Sequence, residues 1–390
     1  MHPFEARRRR RRLTPLDHLK RRLFHLERNP RNVLKHFRLI IPLCNVITDV
    51  RERALSSFNE LGHAHFERRE IPKAIRYFLK AVQSGENPAS YAFERWACWM
   101  FLGEYEEAWK ESDLAGASFK GWPAPDQRVL IRCLRGLGDG IQFLRYARLL
   151  RRHCDRITVQ APPHFLRLCD FIPGIDEAVP LDYANVPPKC DFEIECSDLP
   201  YLFRTTPANI PFREGYICAS AERPDAKSDC LRVGIVWAAG EWNPVRSIPL
   251  LLLEPLTEIS GLKLVSLQKG PEVKQFKDFE RRESIADLGS ALNDIVDTMS
   301  AVAQLDLVIS VDTMVAHLAG AMGKPVWVLL GYAADWRWML DRSDTPWYRS
   351  MRLFRQSATA DWKTVVDDLV DALQTLYRAR TSPFLETLRC

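Results

Sequence analysis

Short apolar runs alternate with stretches of helical spacing after residue 127, and this pattern predicts the fold. Strand-like runs lie at 129–131, 157–159, 191–195, 233–236, 264–267, 307–311 and 326–330. Alternation of strand and helix is typical of parallel sheets. A polar stretch at 220–230 divides these runs into two series. We therefore predict an α/β protein with two sheet-bearing units, over 125–228 and 229–360, that face across a cleft, and a C-terminal helix over 361–380.

The first part of the chain has helical spacing and an internal repeat. Ala74 and Ala108 are 34 residues apart, as are Ala81 and Ala115, and 34 residues is the period of a tetratricopeptide unit. We predict a tetratricopeptide-like helical region over 49–122. A pair of repeats is too few for a free-standing solenoid, so the region should pack on its neighbours. A protein-binding groove and a helical buttress are both compatible with this pattern.

Positive charge is concentrated in a predicted basic arm and amphipathic helix over 1–48. Residues 7–12 are six consecutive arginines, and residues 1–38 carry a net charge of +10, whereas the whole chain carries +5. Four leucines between 16 and 26 form an apolar stripe. Such a helix either docks on the domain behind it or contacts an anionic membrane face or an acidic partner. We expect no nucleic-acid partner, because aromatic and basic residues are not interleaved in the arm.

Composition excludes several classes of protein. Apolar residues make up 46% of the chain, which excludes wholesale disorder, and no run approaches the roughly 18 apolar residues of a membrane-spanning helix. No apolar signal segment follows the basic N-terminus. The ten cysteines include no C-x-x-C pair, so we expect reduced thiols rather than zinc or disulfides. We expect a cytoplasmic protein, with peripheral contact at the inner membrane face as the alternative that the arm allows.

A glycine-rich turn between a strand and a helix provides the first candidate site. Gly136, Gly138 and Gly140 let the backbone approach a ligand closely, and Asp139 lies at the positive end of the following helix. A carboxylate there can take a proton from a hydroxyl group. In the alternative interpretation, Asp139 only caps the helix of a tight turn. The glycine spacing does not match the dinucleotide-binding fingerprint.

Polar residues also follow several strands of the second series. Asp312, Thr313 and His317 lie where a buried strand gives way to a helix, and free N–H groups at such a helix start bind phosphate well. In the loop after 233–236, Arg246 can neutralise a diphosphate. Other donor-binding candidates at these strand ends are Trp237, Gly240, Gln268 and Lys269. Because the ends of parallel strands meet at one edge of a sheet, one nucleotide can touch all of them.

The stretch from about residue 129 to 376 resembles the heptosyltransferase-like glycosyltransferases of family 9, most closely the bacterial branch with tetratricopeptide repeats in front. The motifs that carry the resemblance lie at 136–139, 246–249, 266–270, 312–325 and 335–338. The resemblance implies a GT-B fold, in which two Rossmann-like domains face across a cleft. It also implies transfer of a sugar from a nucleotide-diphosphate donor, with inversion and without a metal. The chain contains no D-x-D triplet, so we expect neither a metal nor another cofactor.

The resemblance assigns roles to individual residues. Asp139 would be the catalytic base, Arg246 a phosphate contact, and Asp312, Thr313 and His317 contacts to the donor diphosphate and sugar. Gln268 would stand near the nucleoside. Weaker substrate-contact candidates are Gly138, Trp242, Asp335 and Trp336.

We therefore expect a bacterial glycosyltransferase that moves a heptose-like sugar from a nucleotide sugar to an acceptor hydroxyl. Residues 143–146 occupy the place where heptosyltransferases carry a Thr-Pro pair, so the acceptor stays open among glycan, lipid and protein. The alternative is a non-catalytic scaffold, in which the repeats bind a protein partner and the GT-B body is degenerate. The joint presence of Asp139, Arg246 and His317 favours the enzyme.

Overall fold

The computed structural model describes residues 57–116, 119, 121–182, 187–218, 230–240, 243–357 and 361–381. The predicted basic arm and amphipathic helix over 1–48 lie outside these residues, as does Trp242. Within the described part of the chain, no helix combines the length and apolar character needed to cross a membrane.

Four helices form the front of the described chain: α1 (Phe58–Glu67), α2 (Ile71–Gln83), α3 (Ala92–Leu102) and α4 (Tyr105–Ala115). Each helix packs on the next one along the chain. The repeated residues Ala74, Ala81 and Ala108 are fully buried. A Cβ at Gly62 would lie 2.7 Å from the Phe78 ring, so the glycine permits the close approach of α1 to α2. A helical region is therefore present, and its assignment to the tetratricopeptide class stays a prediction.

The first sheet has four parallel strands: β1 (Arg128–Arg132), β2 (Arg156–Ala161), β3 (Glu177–Pro180) and β4 (Phe192–Glu195). Their order across the sheet is β3-β2-β1-β4. Four short helices accompany them: α5 (Leu137–Phe143), α6 (Ala147–Leu150), α7 (Leu166–Cys169) and α8 (Leu199–Leu202).

The second sheet has six parallel strands: β5 (Leu231–Val236), β6 (Leu262–Ser266), β7 (Ile285–Asp287), β8 (Leu307–Val311), β9 (Val326–Leu330) and β10 (Met351–Arg355). Their order is β10-β9-β8-β5-β6-β7. Its helices are α9 (Val273–Lys277), α10 (Ile295–Ala303), α11 (Met314–Ala321) and α12 (Trp362–Thr381). The sequence pattern missed β7 and β10, because β7 is only three residues long and β10 carries Arg352 and Arg355.

Short 3-10 helices complete the connections of both units: Pro88–Tyr91, Leu144–Tyr146, Pro163–Phe165, Cys196–Asp198, Pro244–Arg246, Leu250–Glu258, Arg282–Ser284, Gly289–Ala291 and Trp336–Trp338.

The strand order reverses once in each sheet. After β1 the chain adds β2 and β3 on one side and then crosses to place β4 on the other. The second sheet repeats this logic, with β5 between β6 and β8. In open parallel sheets, such reversal points leave a crevice at the carboxyl ends of the strands, where ligands bind. The topology therefore predicts ligand contacts after β1 and β4 in one unit and after β5 and β8 in the other.

A continuous hydrophobic core joins the three parts of the molecule. It contains Trp109 of the helical region, Ile131 of the first sheet and Leu318 of the second unit. Helices α5 and α11 form the main contact between the two sheet units. The structure thus confirms the predicted fold class, two Rossmann-like units that face across a cleft in a GT-B arrangement, behind an α-helical region.

Candidate active site in the central cleft

A cavity of about 1400 Å³ lies where the helical region and the two sheet units meet. Ligand pockets for small molecules typically hold about 300–1,000 Å³, so this cavity has room for more than one substrate. Its walls include residues from both strand-order reversals, such as Asp139 and Glu195 in the first unit and Ala238 and Asp312 in the second.

Asp139 lies in the first turn of α5, with its side chain at the cavity. The sequence pattern predicts a turn over 136–140, but the helix already begins at Leu137, with Gly136 as its N-cap. One carboxylate oxygen of Asp139, Oδ2, accepts a hydrogen bond from the Gly136 N–H at 3.1 Å. The other, Oδ1, is paired with the guanidinium of Arg337 from the second unit. Asp139 therefore caps its helix and faces the cleft at once.

Arg337 is the central cation of the cleft, and the sequence analysis did not single it out. Its guanidinium also donates to Asp335 Oδ1 at 2.7 Å and to Gln142 Oε1 at 2.8 Å. Burial opposes the charge of Arg337, but the carboxylates of Asp335 and Asp139 outweigh burial and raise its pKa. The sequence did offer one signal for Arg337, since it lies between Trp336 and Trp338 in the motif at 335–338.

His317 is buried where α11 meets the first unit. Its Nδ1 lies 3.1 Å from the Tyr348 hydroxyl, and its ring stacks on Trp338 with centroids 5.4 Å apart. Burial, and then the positive charges of Arg337 and two further arginines, hold the pKa of His317 well below 6.5. His317 is therefore a neutral hydrogen-bonding group at neutral pH.

Gly138 brings the two units together at this histidine. A Cβ at Gly138 would lie 2.8 Å from His317 Cδ2, which is closer than side chains tolerate. The glycine next to Asp139 therefore allows α5 to approach α11, and this contact sets Asp139 close to α11.

Asp312 and Arg246 form a second ion pair at the end of β8. One guanidinium nitrogen of Arg246 donates both to the Asp312 carbonyl and to its Oδ2, each at 3.2 Å. Burial raises the pKa of Asp312, and Arg246 counteracts this shift. Thr313 is the N-cap of α11 without a side-chain capping bond, because its hydroxyl is engaged with Ser310 at 2.8 Å. The first turn of α11 also lines the cavity, at Met314 and Val315.

The structure corrects the expected role of Trp237. Its side chain is fully buried in the core of the second unit, 6.3 Å from the Phe276 ring between centroids, and it does not line the cavity. Trp237 directly follows β5, a strand that is buried on both faces. Such a strand shows no alternation of apolar and polar residues, so the sequence does not indicate which side chains face the cavity. Gly240 from the same loop does line the cavity.

Gln268 lines the cavity, and its side-chain amide is hydrogen-bonded within the protein, so its contact with a nucleoside stays a prediction. Its Oε1 accepts from the backbone N–H groups of Trp237 and Ala238 at 3.1 and 2.9 Å. Its Nε2 donates to the carbonyls of Ala238 and Lys269 at 3.2 and 2.8 Å. All four hydrogen-bonding positions of the amide are thereby used. Gln268 ties the ends of β5 and β6 together, and Lys269 beside it lines the cavity.

An aromatic wall contributed by the helical region was missed from the sequence. Phe93, Trp96, Phe101 and Trp109 line the cavity together with Trp336 of the second unit. Trp96 meets Trp336 edge to face with centroids 5.3 Å apart. The cavity is also lined by first-unit residues that the sequence pattern did not single out: His164, Glu195, Asp198 and Tyr201.

Potential metal ligands do not cluster in the described ranges, where no group of three or more His, Cys, Asp or Glu side chains is arranged to hold an ion. Ion pairs of the described residues line the cavity instead, namely Asp139–Arg337, Asp335–Arg337, Asp312–Arg246 and Arg135–Glu195.

Comparison with known proteins gives distant similarities. No protein-family model matches the chain. Protein FlbA of Caulobacter vibrioides is 24% identical over 372 residues, which cover 82% of this chain and 61% of FlbA. The chain thus spans less than two thirds of that relative's length.

Several solved structures are similar in shape. ADP-heptose lipopolysaccharide heptosyltransferase II of E. coli is 12% identical to this chain. The alignment covers 65% of this chain and 100% of the heptosyltransferase chain, with a TM-score of 0.48. A glycosyltransferase family 9 structure from Veillonella parvula has 14% identity, coverage of 66% and 99%, and a TM-score of 0.48. E. coli heptosyltransferase WaaC with an ADP-2-deoxy-2-fluoro heptose has 13% identity, coverage of 64% and 99%, and a TM-score of 0.44. At TM-scores below 0.5 these likenesses carry no weight for the function, which we infer from the cleft.

Proposed function

We propose that the protein is a glycosyltransferase that moves a sugar from a nucleoside-diphosphate donor to an acceptor hydroxyl. The observation that carries the proposal is the convergence of Asp139 with Arg246, Asp312, Thr313 and His317 on one cavity. These residues come from opposite units and from the strand-order reversals of two parallel sheets. A transferase needs this arrangement, because a base must face the leaving group across the transferred sugar.

The second unit supplies the donor side. The first turn of α11 offers backbone N–H groups to a phosphate, and Arg246 lies beside it through its bond to Asp312. Positive charge that meets the departing diphosphate stabilises the transition state. His317 is neutral, so it hydrogen-bonds a sugar or phosphate oxygen without adding charge.

The first unit supplies the acceptor side. Asp139 accepts the proton of the attacking hydroxyl. General-base catalysis requires this hydroxyl to lie within hydrogen-bond distance of the Asp139 carboxylate. Because Asp139 and the phosphate contacts stand in opposite units, attack and departure take place on opposite faces of the sugar, and the reaction inverts the anomeric centre. The guanidinium groups of Arg246 and Arg337 supply the positive charge in this mechanism, without a metal.

The ion pair between Asp139 and Arg337 gates this chemistry. Both carboxylate oxygens of Asp139 are engaged, one by Arg337 and one by Gly136. A diphosphate in the cleft competes with Asp139 for the Arg337 guanidinium. When Arg337 turns from Asp139 to the diphosphate, Asp139 Oδ1 becomes free to accept a hydrogen bond from the acceptor hydroxyl. Donor binding therefore precedes acceptor activation. The sugar is heptose-like by resemblance, and the acceptor is a glycan, a lipid or a protein.

The same ion pair favours one second candidate, a non-catalytic scaffold in which Asp139 has become a structural partner of Arg337. The helical region would then bind a protein, and the cleft would bind a nucleotide or remain unused.

A thermal-shift panel of nucleotide sugars tests the proposal on the full chain. We expect at least one nucleotide sugar to raise the melting temperature, since a ligand at about 100 times its dissociation constant stabilises by roughly 2.7 kcal/mol. The matching nucleoside without phosphates serves as the control and should give a smaller shift. Stabilisation by no member of the panel would contradict the proposal, and stabilisation without release of nucleoside diphosphate would favour the scaffold.

A further inference from the structure

Arg69 lies in the tight connection between α1 and α2 and reaches out of the helical region. Its backbone has φ 62, in the left-handed region that residues other than glycine adopt uncommonly. From there its Nη2 donates to the carbonyl of Ala333 in the second unit at 2.9 Å. The guanidinium also lies 4.9 Å from the centroid of the Phe101 ring. These contacts hold a half-buried cation at the edge of the cleft.

Arg69 differs from the other arginines of the cavity wall, because each of those forms an ion pair with a carboxylate. Arg135 is paired with Glu195, Arg246 with Asp312, and Arg337 with two aspartates. Within the described part of the chain, no carboxylate lies within 4.0 Å of the Arg69 guanidinium. Burial is the largest influence on Arg69 and lowers its pKa, although Asp335 acts in the opposite direction. Among the four arginines of the cavity wall, Arg69 is therefore the one that has no carboxylate in ion-pair contact among the described residues, and an incoming anion can take that position.

Arg69 and Arg246 meet at one small recess. A second cavity of about 180 Å³ is lined by both arginines, by the carboxylates of Asp312 and Asp335 that pair with Arg246 and Arg337, and by the chain after β9 at Gly331 and Ala333. Both arginines also line the main cavity. The recess lies at the carboxyl ends of β8 and β9, next to Asp312, where the donor side of the cleft is placed.

We propose that Arg69 is a phosphate-binding residue of the donor site, so that the helical region completes the nucleotide-sugar site. This inference rests on the proposed function for the identity of the anion as a nucleoside diphosphate. Guanidinium groups bind phosphate oxygens in a bidentate manner, and a pair of them can embrace both phosphates. Binding of the donor then couples the helical region to the second unit through Arg69 and Arg246.

The test is isothermal titration of the full chain with ADP, GDP, UDP and CDP, followed by variants with the tightest of these four. Arg69→Ala should weaken the affinity for this nucleotide about tenfold or more, because a charge-assisted hydrogen bond from a half-buried guanidinium is lost. Arg69→Lys keeps the charge without the planar fork and should recover part of the affinity. Arg76→Ala removes an exposed arginine from α2 and should leave the affinity unchanged.

The possible outcomes separate this inference from the function on which it rests. If the wild-type protein binds none of the four nucleotides, the proposed function fails and the assignment of Arg69 fails with it. If the wild-type protein binds but Arg69→Ala matches Arg76→Ala, only the assignment of Arg69 is overturned. An equal loss of affinity for the free nucleoside would show that Arg69 acts through packing, and would also overturn it.

Discussion

His317 shows how burial decides the chemistry of a single side chain. The residue lies in a setting of three arginines, with Asp312 Oδ1 3.8 Å from its Nε2. A neutral imidazole avoids adding a further positive charge to this group. In the proposed mechanism His317 therefore acts by hydrogen bonding, and proton transfer falls to Asp139.

The lowered pKa of His317 predicts a specific pH dependence of stability. Above its unfolded value of about 6.5 the histidine is neutral in both states and contributes nothing. Below that value the unfolded chain binds a proton at this histidine and the folded chain does not. The free energy of unfolding therefore decreases as the pH is lowered, by up to about 1.4 kcal/mol per pH unit. Urea denaturation at pH 8 and pH 5.5 should show a smaller loss for His317→Asn than for the wild-type protein. Equal losses would show that His317 is protonated in the folded state.

Sequence reasoning located residues at strand ends but not the contacts between distant segments. Asp139, Arg246, Asp312 and His317 were identified because each follows a strand, and parallel strands deliver their ends to one edge. Arg337 and Arg69 were missed, because their significance arises from partners in other parts of the chain. Trp237 was misplaced, since a strand buried on both faces gives no alternation from which to choose the exposed side.

At the scale of elements, the contact of α5 with α11 sets the geometry of the cleft. Most strands of both sheets were predicted to within a few residues, because buried parallel strands stand out as short apolar runs. The start of α5 was not predicted, because glycines at 136, 138 and 140 indicate a turn rather than a helix. The glycine at 138 is explained by tertiary structure, namely the His317 ring on the facing helix.

Substitution of Gly138 should separate these two helices. In Gly138→Ala the new methyl group would lie 2.8 Å from the His317 ring, and overpacking of this kind costs about 1–3 kcal/mol. Denaturant titration measures the loss of unfolding free energy. Gly331→Ala is the matched control, because a Cβ there meets only Gln356 Oε1 and the Val245 carbonyl oxygen, each at an ordinary 3.5 Å. Equal stability of the two variants would contradict the close packing of α5 on α11.

At the scale of the whole molecule, the helical region is part of the cleft rather than an appendage. Trp109 Nε1 donates to the Thr205 carbonyl of the first unit at 2.6 Å, and the Tyr105 ring lies 6.2 Å from that of Trp347 in the second. The sequence pattern predicted that the helical region packs on a neighbouring part of the chain, and the shared core confirms this packing. It did not predict that the helices would form a wall of the central cavity, because that depends on how three separate parts of the chain are arranged.

The central claim is that this cleft transfers a sugar with Asp139 as the base, and one comparison tests it most directly. The nucleotide sugar that stabilises the protein is incubated with the wild-type chain and with Asp139→Asn, with water or glycerol as acceptor, and release of nucleoside diphosphate is followed. General-base catalysis contributes about 10² to 10⁴ in rate, so Asp139→Asn should lose that much turnover while donor affinity stays near the wild-type value. Asp198→Asn changes another carboxylate of the cavity wall and should retain turnover. Near-normal turnover in Asp139→Asn would contradict the account and direct attention to His164 or Glu195.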